Sequence, residues 1–243
     1  MPYGTKSLST VERYATENAR FLESKGIKLL VVACNTASAL ALPAIRSAVD
    51  VSVIGVIEPG ARAAVRASSN GRIGVIATEA TIRSGAYSDT IAAIDPSVRV
   101  MPAACPLFVS LAEEGWAESD VARTVAEQYL GEIRNSDVDT LVLGCTHYPL
   151  LRNVIQSVIG KSVLLVDSGQ ATAAEVEVLL KESGLNRTID GFQDNTRGAA
   201  ELDHFYVTDA AERFGRVAER FLGAAPSVLE AVEVWGHDEL RTH

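Results

Sequence analysis

The 243 residues suffice for one large domain or two small ones, and 47% hydrophobic with 22% charged residues is ordinary for a globular protein. The formal net charge of −9 argues against a nucleic-acid-binding protein or a basic membrane-surface protein, because both bind through clustered Lys and Arg. An anionic small substrate is compatible with this charge, since backbone N–H groups at a helix start can bind one locally.

The cysteines and the first residues indicate the cellular compartment. The chain has three cysteines, Cys34, Cys105 and Cys145. An odd number without a CxxC pair argues against a disulfide framework and against a zinc site. No apolar segment follows Met1, and the longest apolar-looking stretch, residues 31–45, is too polar and too short to span a bilayer. We therefore expect a reduced, cytoplasmic protein that neither enters a membrane nor binds nucleic acid.

Apolar runs rich in β-branched residues alternate along the chain with stretches of helical spacing. The predicted strands are Lys28–Ala33, Val51–Val56, Arg72–Ala77, Val98–Met101, Thr140–Leu143, Ser162–Val166 and Phe205–Thr208. The predicted helices are Ser7–Ser24, Ala37–Ala48, Ala80–Ile94, Asp120–Asn135, Tyr148–Val158, Ala171–Glu182 and Asp209–Leu222, with a final helix from Ala224 onward. This alternation predicts an α/β fold with mostly parallel sheets covered by helices.

Two segments of the chain are alike, residues 29–36 and residues 140–147. Each is an apolar run that ends in a small residue, followed by Cys and then by polar residues. The similarity predicts two pseudo-symmetric, doubly wound domains with the active site in the cleft between them. Turn-forming residues near Glu58-Pro59-Gly60 and Ser168-Gly169-Gln170 set the expected boundaries. The first domain would comprise residues 1–57 and 171–243, and the second residues 58–170.

Cys34 and Cys145 are predicted to follow buried parallel strands directly, at the sheet edge where α/β proteins bind ligands. Two thiols across a cleft could remove and return a proton on opposite faces of one carbon, which is racemase or epimerase chemistry without a cofactor. A helix start after each cysteine favours the thiolate, and His147 could exchange a proton with Cys145. No equivalent base stands beside Cys34.

Structural roles compete with these interpretations. A cysteine in an apolar strand is usually a small core residue, and only the repeated context favours chemistry for Cys34 and Cys145. Cys105 has no polar neighbour in Ala-Ala-Cys-Pro-Leu and is expected in the core. His147 taken alone would fit a structural histidine, and His204 a surface or structural one. Glu113-Glu114-Gly115 is typical of a helix end with solvated charges.

The motifs around the two cysteines nevertheless resemble a known family. Cys34-Asn35-Thr36-Ala37-Ser38-Ala39 and Gly144-Cys145-Thr146-His147-Tyr148-Pro149-Leu150 resemble the signature segments of bacterial glutamate racemases, in the aspartate/glutamate racemase superfamily. Further matches, in family order over nearly the whole chain, are Pro2-Tyr3-Gly4-Thr5-Lys6-Ser7, Cys105-Pro106-Leu107-Phe108 with Glu113-Glu114-Gly115, and Phe205-Tyr206-Val207-Thr208.

The resemblance implies cofactor-independent interconversion of L- and D-glutamate, which supplies D-glutamate for peptidoglycan. It implies that Cys34 and Cys145 are the two acid/base residues, one for each face of Cα, with His147 assisting Cys145. It also carries over Glu114, or its neighbour Glu113, as a catalytic residue. The implied substrate-binding residues are Pro2, Tyr3, Gly4, Asn35, Thr36, Thr81 and Thr146. The resemblance leaves the oligomeric state open, with a homodimer as one alternative.

One departure concerns the residues before Pro2. Family members begin with a strand and an Asp-Ser-Gly motif whose Asp serves the first cysteine, whereas this sequence begins at Met1-Pro2-Tyr3-Gly4. Asp167-Ser168-Gly169 has the same letters but follows a strand in the other half, as a pseudo-symmetric echo. The departure predicts an exposed apolar sheet edge, a poorly activated Cys34 and low turnover.

Three other functions compete with glutamate racemisation. A related racemase could act on aspartate or a hydantoin, although Asn-Thr after Cys34 and Thr-His after Cys145 favour glutamate. A truncated, non-catalytic relative could bind an acidic ligand or a protein partner. A thiol-dependent hydrolase is the weakest alternative, because neither cysteine shows a complete nucleophile–base–orienter set.

Overall fold

The computed structural model describes residues 2–186 and 203–234. The chain divides into two compact units, with the boundary between Leu185 and Asn186. No helix in the described ranges is long and apolar enough to cross a membrane.

The elements of the described chain follow the predicted alternation. The strands are β1 (Leu29–Val32), β2 (Ser52–Gly55), β3 (Arg72–Ala77), β4 (Arg99–Ala104), β5 (Thr140–Gly144), β6 (Leu164–Asp167), β7 (His204–Val207) and β8 (Val228–Ala231). The helices are α1 (Leu8–Ser24), α2 (Asn35–Leu40), α3 (Leu42–Ala48), α4 (Ile57–Ala67), α5 (Glu79–Arg83), α6 (Ala86–Ile94), α7 (Leu107–Glu114), α8 (Asp120–Arg134), α9 (Arg152–Ile159), α10 (Ser168–Glu182) and α11 (Ala211–Leu222). Tyr3–Thr5 and Tyr148–Leu151 form 3-10 turns.

The first unit is built on a four-stranded parallel sheet in the order β4-β3-β5-β6. The two central strands are apolar after their first residues, Arg72 and Thr140, because helices cover both faces of the sheet. Successive residues point to opposite faces, so Val142 packs with α4 and α6 while Leu141 and Leu143 pack with α7, α8 and α9. After β3 the chain first adds β4 on one side and then β5 on the other. The carboxyl ends of β3 and β5 therefore flank a topological switch point, where ligands bind in open α/β sheets.

A parallel pair, β1 and β2, forms a second sheet in the same unit. Helices α1, α2 and α3 pack on it through a core of Val11, Leu30, Ile45 and their neighbours. Val31, on β1, is 37% exposed. The second unit contains a parallel pair, β7 and β8, joined by α11, with Val207 and Ala218 buried.

The structure confirms all seven predicted strands within a few residues and corrects the prediction in other places. The tail prediction is wrong where the chain is described, because Val228–Ala231 is a strand paired with β7; residues 235–243 lie outside the described residues. Helices α4 and α7 were not predicted. Pro59 and Gly60 lie in the first turn of α4, where proline is tolerated. Ser168-Gly169-Gln170 likewise forms the first turn of α10. The domain boundaries expected at these two places stay predictions.

Candidate active site

Cys34 lies between β1 and α2, at the N-cap position of that helix. Its side chain is half-buried, and burial raises the pKa of the thiol. Hydrogen bonds from the backbone N–H groups of Ala37 and Thr36 and from the Thr36 side chain act in the opposite direction and favour the thiolate. The predicted helix start is therefore present, and its donors face the sulfur.

Cys145 lies directly after β5 and belongs to a chain of three titratable side chains. Its Sγ is 3.7 Å from His147 Nδ1, and His147 Nε2 is 3.3 Å from Glu113 Oε1. A carboxylate only accepts hydrogen bonds, so Nε2 carries the proton and Nδ1 presents its lone pair to the thiol. This arrangement orients the imidazole as a proton acceptor for Cys145.

Electrostatics favour the neutral forms of both members of the Cys145–His147 pair. Burial raises the pKa of Cys145 to about 12, against hydrogen bonds from the His147 backbone N–H and the Thr146 side chain. The negative charge of Cys34 also raises the pKa of Cys145, so the two thiols are close enough to sense each other's charge. Burial lowers the pKa of His147, although the charge of Glu113 and its hydrogen bond act against that shift.

Tyr3 and Gly4 lie beside Cys34 and Thr78. Burial raises the pKa of Tyr3, and the charge of Cys34 adds to the shift. A Cβ on Gly4 would lie 2.7 Å from Thr78 Cβ, so this position has room only for glycine. The 3-10 turn Tyr3–Thr5 is thereby held against the residues that follow β3.

Three buried threonine hydroxyls join α2 to the segment after β3. Thr36 Oγ1 is 2.9 Å from Thr78 Oγ1 and 3.1 Å from Thr81 Oγ1, and the last two are 3.0 Å apart. Thr36 and Thr81 were predicted from the resemblance, whereas Thr78 was not. The sequence does mark Thr78, because a threonine directly after a buried strand is a common helix N-cap. In the structure it caps α5 by accepting a hydrogen bond from Thr81 N.

Asn35 is buried between two hydroxyl groups. Its Nδ2 donates to Tyr87 Oη at 2.9 Å and to Ser168 Oγ at 3.2 Å. Its Oδ1 is the one buried side-chain nitrogen or oxygen atom in residues 2–186 and 203–234 without a hydrogen-bond partner. Tyr87 and Ser168 were not predicted as site residues. Ser168 belongs to the Asp167-Ser168-Gly169 echo noted in the sequence, whereas no local pattern marks Tyr87.

The remaining predicted residues lie at different places. Thr146 is exposed beside His147, with Oγ1 3.4 Å from Nδ1, and Pro2 is exposed. Glu114 is exposed and lines an apolar groove with Leu107 and Trp116. Of the two neighbouring glutamates, Glu113 is therefore the one that contacts His147.

Cys105 follows β4 but belongs to the core. It is fully buried within the cluster under α7 and α8, and burial raises the pKa of its thiol well above the ordinary range. Its Sγ has a backbone carbonyl as partner, Ala103 O at 3.8 Å, whereas backbone N–H groups and polar side chains donate to the other two thiols. Within the described ranges, no group of three or more His, Cys, Asp or Glu residues could hold a metal ion.

Known proteins resemble this chain over most of its length. It is 52% identical to a glutamate racemase of Geobacter metallireducens over 92% of this chain and 80% of that protein, and 47% identical to one of Lactiplantibacillus plantarum over 92% and 79%. Among solved structures, Francisella tularensis glutamate racemase in complex with D-glutamate superposes with a TM-score of 0.87 at 34% identity, over 98% of this chain and 85% of that one. Bacillus anthracis glutamate racemase superposes with a TM-score of 0.85 at 36% identity, over 96% and 84%.

The match to a whole family is equally extensive. The family model described as Asp/Glu/Hydantoin racemase matches residues 2–176, which include both cysteine motifs and all the side chains placed above at the carboxyl ends of the strands. These matches confirm the resemblance and the α/β fold class predicted from the motifs. The chain belongs to the Asp/Glu/Hydantoin racemase family.

Proposed function

We propose that the protein interconverts L- and D-glutamate by proton transfer between two cysteines, Cys34 and Cys145. The observation that carries this proposal is the pair of thiols at the carboxyl ends of β1 and β5, close enough for the charge of one to raise the pKa of the other. The relatives named above add support, because each of them is a glutamate racemase.

The reaction needs one thiolate and one thiol in each turnover. The thiolate takes the proton from Cα and becomes a thiol, and the electron pair left on Cα is delocalised into the α-carboxyl group. The second thiol, on the opposite face, gives its proton to Cα and becomes the thiolate. One proton leaves the substrate and one returns, so no oxidant, reductant or cofactor enters the balance.

His147 would serve the direction in which Cys145 acts as the base. Its Nδ1 accepts the thiol proton of Cys145, while Glu113 holds Nε2–H and stabilises the imidazolium that forms. Because burial keeps both the thiol and the imidazole neutral, the transfer creates a short-lived ion pair next to Cα.

Substrate binding would fall to polar groups around the two thiols. Asn35 and Thr36 would bind the substrate beside Cys34, and Thr146 beside Cys145. Tyr3 and Gly4, with Pro2 at the rim and Thr81 behind Thr36, would complete the subsite that holds the second carboxylate. Francisella tularensis glutamate racemase has been solved with D-glutamate, which supports this choice of ligand.

The cellular role would be the supply of D-glutamate for peptidoglycan in the cytoplasm. Rescue of a bacterial strain that requires D-glutamate, by expression of this chain, tests that role. Expression of Cys145→Ser in the same strain should not restore growth.

Circular dichroism of L- or D-glutamate during turnover tests the chemistry. Wild type should abolish the optical signal of either enantiomer, and Cys34→Ser or Cys145→Ser should slow that decay at least about 100-fold, the low end of the contribution of a positioned acid or base. In D2O, the product of early turnovers should carry deuterium at Cα while the remaining substrate does not, because two separate thiols exchange with solvent.

Cys105→Ala is the matched control, since it removes a thiol that also follows a strand of the same sheet but lies in the core. It should keep turnover while lowering the temperature of unfolding. Binding of glutamate by calorimetry without decay of the optical signal would overturn the proposal and favour a non-catalytic ligand-binding protein. Deuterium in both product and substrate from the first turnovers would exclude the two-base mechanism.

A further inference from the structure

Asn35 holds its amide group in a hydrogen-bond chain that starts on the backbone of β5. Ser168 Oγ donates to the carbonyl oxygen of Leu143 at 3.2 Å, two residues before Cys145. A carbonyl oxygen only accepts, so the single proton of Ser168 is committed to Leu143. Ser168 Oγ can then only accept from Asn35, and the group that faces it must be Nδ2.

Tyr87 contacts the same amide group from the other side. Its Oη accepts a hydrogen bond from Asn35 Nδ2 at 2.9 Å. Burial raises the pKa of Tyr87, so the hydroxyl stays protonated and accepts through a lone pair. Both Nδ2 hydrogens, the Ser168 proton and the Leu143 carbonyl are therefore used.

The reverse orientation of the amide satisfies fewer groups. With Oδ1 toward the hydroxyls, Tyr87 could donate to Oδ1, but Ser168 would have to choose between Oδ1 and Leu143. Three hydrogen bonds would become two, Nδ2 would lose both of its acceptors, and each buried bond lost costs free energy. The surrounding protein thus determines which end of the Asn35 amide is left over.

Close packing holds both hydroxyl groups in place. A Cβ on Gly60 would lie 3.1 Å from Tyr87 Oη and from Ser168 Cβ, and a Cβ on Gly144 would lie 3.0 Å from Tyr87 Cε2. The Tyr87 ring is packed between the backbone at Gly60 and the backbone at Gly144. The Tyr87 and Ser168 oxygens therefore keep their positions if the Asn35 amide rotates.

The group left over is an acceptor, Asn35 Oδ1, buried and without a partner among the described residues. A buried acceptor that lacks a donor is costly in a folded protein, and a ligand that supplies a donor removes that cost. Oδ1 follows Cys34 by one residue. A carboxylate cannot fill this role, because it has no proton to donate, whereas an ammonium group has three.

We propose that Ser168 and Tyr87 are positioning residues that hold the Asn35 amide in one orientation, so that Oδ1 accepts a hydrogen bond from the ammonium group of the substrate. This inference rests on the proposed function in one respect, since it takes an α-amino acid as the ligand. It adds two residues outside the cysteine motifs and assigns to Asn35 the ammonium group rather than a carboxylate.

Calorimetric binding of glutamate and of glutarate, which lacks only the ammonium group, separates this role from a structural one. Ser168→Ala and Tyr87→Phe should each weaken glutamate binding about 10-fold, the low end for a hydrogen bond to a charged group. Glutarate binding should change less than about twofold, because glutarate makes no use of Oδ1. Binding needs no turnover, so a failure of the proposed racemisation would not disturb this test.

Tyr148→Phe is the matched control, because Tyr148 is a second fully buried tyrosine whose hydroxyl donates to the Cys105 carbonyl at 2.8 Å. It should lower stability without changing the ratio of glutamate to glutarate affinity. In an Asn35→Ala background, Ser168→Ala should cause no further loss of glutamate affinity, since it acts through Asn35. Equal weakening of both ligands, unchanged glutamate binding or additive losses would each overturn the proposal.

Discussion

The carboxyl and amino ends of the four-stranded sheet differ in how their polar groups are hydrogen-bonded. At the carboxyl end, burial raises the pKa of Cys145, and Asn35 keeps a buried acceptor without a partner. At the amino end, Asp139 precedes β5 and accepts hydrogen bonds from Ser68 Oγ, Ser69 N, Ser69 Oγ and Asn70 N at 2.6–2.8 Å. The carboxylate at the amino end is fully hydrogen-bonded within the protein, whereas Asn35 Oδ1 is not, and under the proposed function a ligand would supply its partner.

This comparison predicts that substitutions at the carboxyl end change turnover more than stability, and that substitutions at the amino end do the reverse. The largest effect in this set is expected for His147→Asn. The variant removes the basic nitrogen that faces Cys145, since an amide does not take up a proton near neutral pH, so kcat should fall about 100-fold. The decay of the optical signal of each enantiomer gives kcat in each direction.

His204→Asn is the control for the loss of an imidazole, because His204 is exposed on β7. It should retain wild-type turnover. If His147→Asn turned over normally in both directions, the thiol proton of Cys145 would have to leave by another route, and the assignment of His147 as its acceptor would fall.

The pH dependence should be nearly as large. Burial raises the pKa of both Cys34 and Cys145, so each is a thiol at neutral pH and a thiolate must form before abstraction. Each unit of pH below a thiol pKa lowers the thiolate population tenfold. We expect kcat in the direction that uses Cys34 as the base to rise up to about 100-fold between pH 6 and pH 8, because no neighbouring base takes its proton. With Cys145 as the base, His147 takes the proton within the protein, so kcat should vary little wherever the imidazole is neutral, and the lowered pKa of His147 keeps it neutral over most of that range.

Initial rates at constant ionic strength measure this profile. A rate that is independent of pH with Cys34 as the base would mean that the Cys34 thiolate already exists in the free protein. That result would contradict the dominance of burial over the helix N–H groups at Cys34. A steep rise with Cys145 as the base would contradict internal proton transfer to His147.

A comparison of Glu113→Gln with Glu114→Gln tests whether the contact in the structure or the position in the motif identifies the glutamate that acts on His147. The contact with His147 Nε2 predicts that Glu113→Gln lowers kcat about 10-fold, because a neutral amide stabilises imidazolium less than a carboxylate does. The motif carried over Glu114 ahead of Glu113. A larger loss in Glu114→Gln would favour the sequence prediction over the contact seen in the structure.

The sequence was sufficient to predict seven of the strands and the location of Cys34 and Cys145 after two of them. The features that it did not predict depend on contacts between distant parts of the chain. Val142 and its neighbours form continuous apolar runs that mark buried parallel strands, and each motif cysteine follows such a run directly. Asn35 and Ser168 are 133 residues apart, and no local pattern shows that α2 and α10 bring them together. The tail helix failed because pairing with β7 decides the conformation of Val228–Ala231.

The smallest effect is expected at the amino end, for Asp139→Asn. Partial burial alone would raise the pKa of Asp139, but the hydrogen bonds from Ser68, Asn70 and Ser69 outweigh it and hold that pKa well below the ordinary range. A carboxyl whose pKa is lower in the folded than in the unfolded state stabilises the fold at neutral pH, and this stabilisation is lost as pH falls through the folded pKa. The variant should therefore be less stable by about 1 kcal/mol at pH 7, since an amide accepts fewer and weaker hydrogen bonds than a carboxylate.

Urea unfolding of wild type and Asp139→Asn at pH 7 and at pH 3 measures that difference, which should shrink at the lower pH. Asp137→Asn is the control from the same loop, because Asp137 is exposed, its φ of 56° suits asparagine, and its ion pair with Arg72 is long, at 3.6 Å. Turnover of folded Asp139→Asn should equal that of wild type. A fall in kcat without a fall in stability would show that β5 transmits changes from its amino end to Cys145, and the two ends could then no longer be treated as independent.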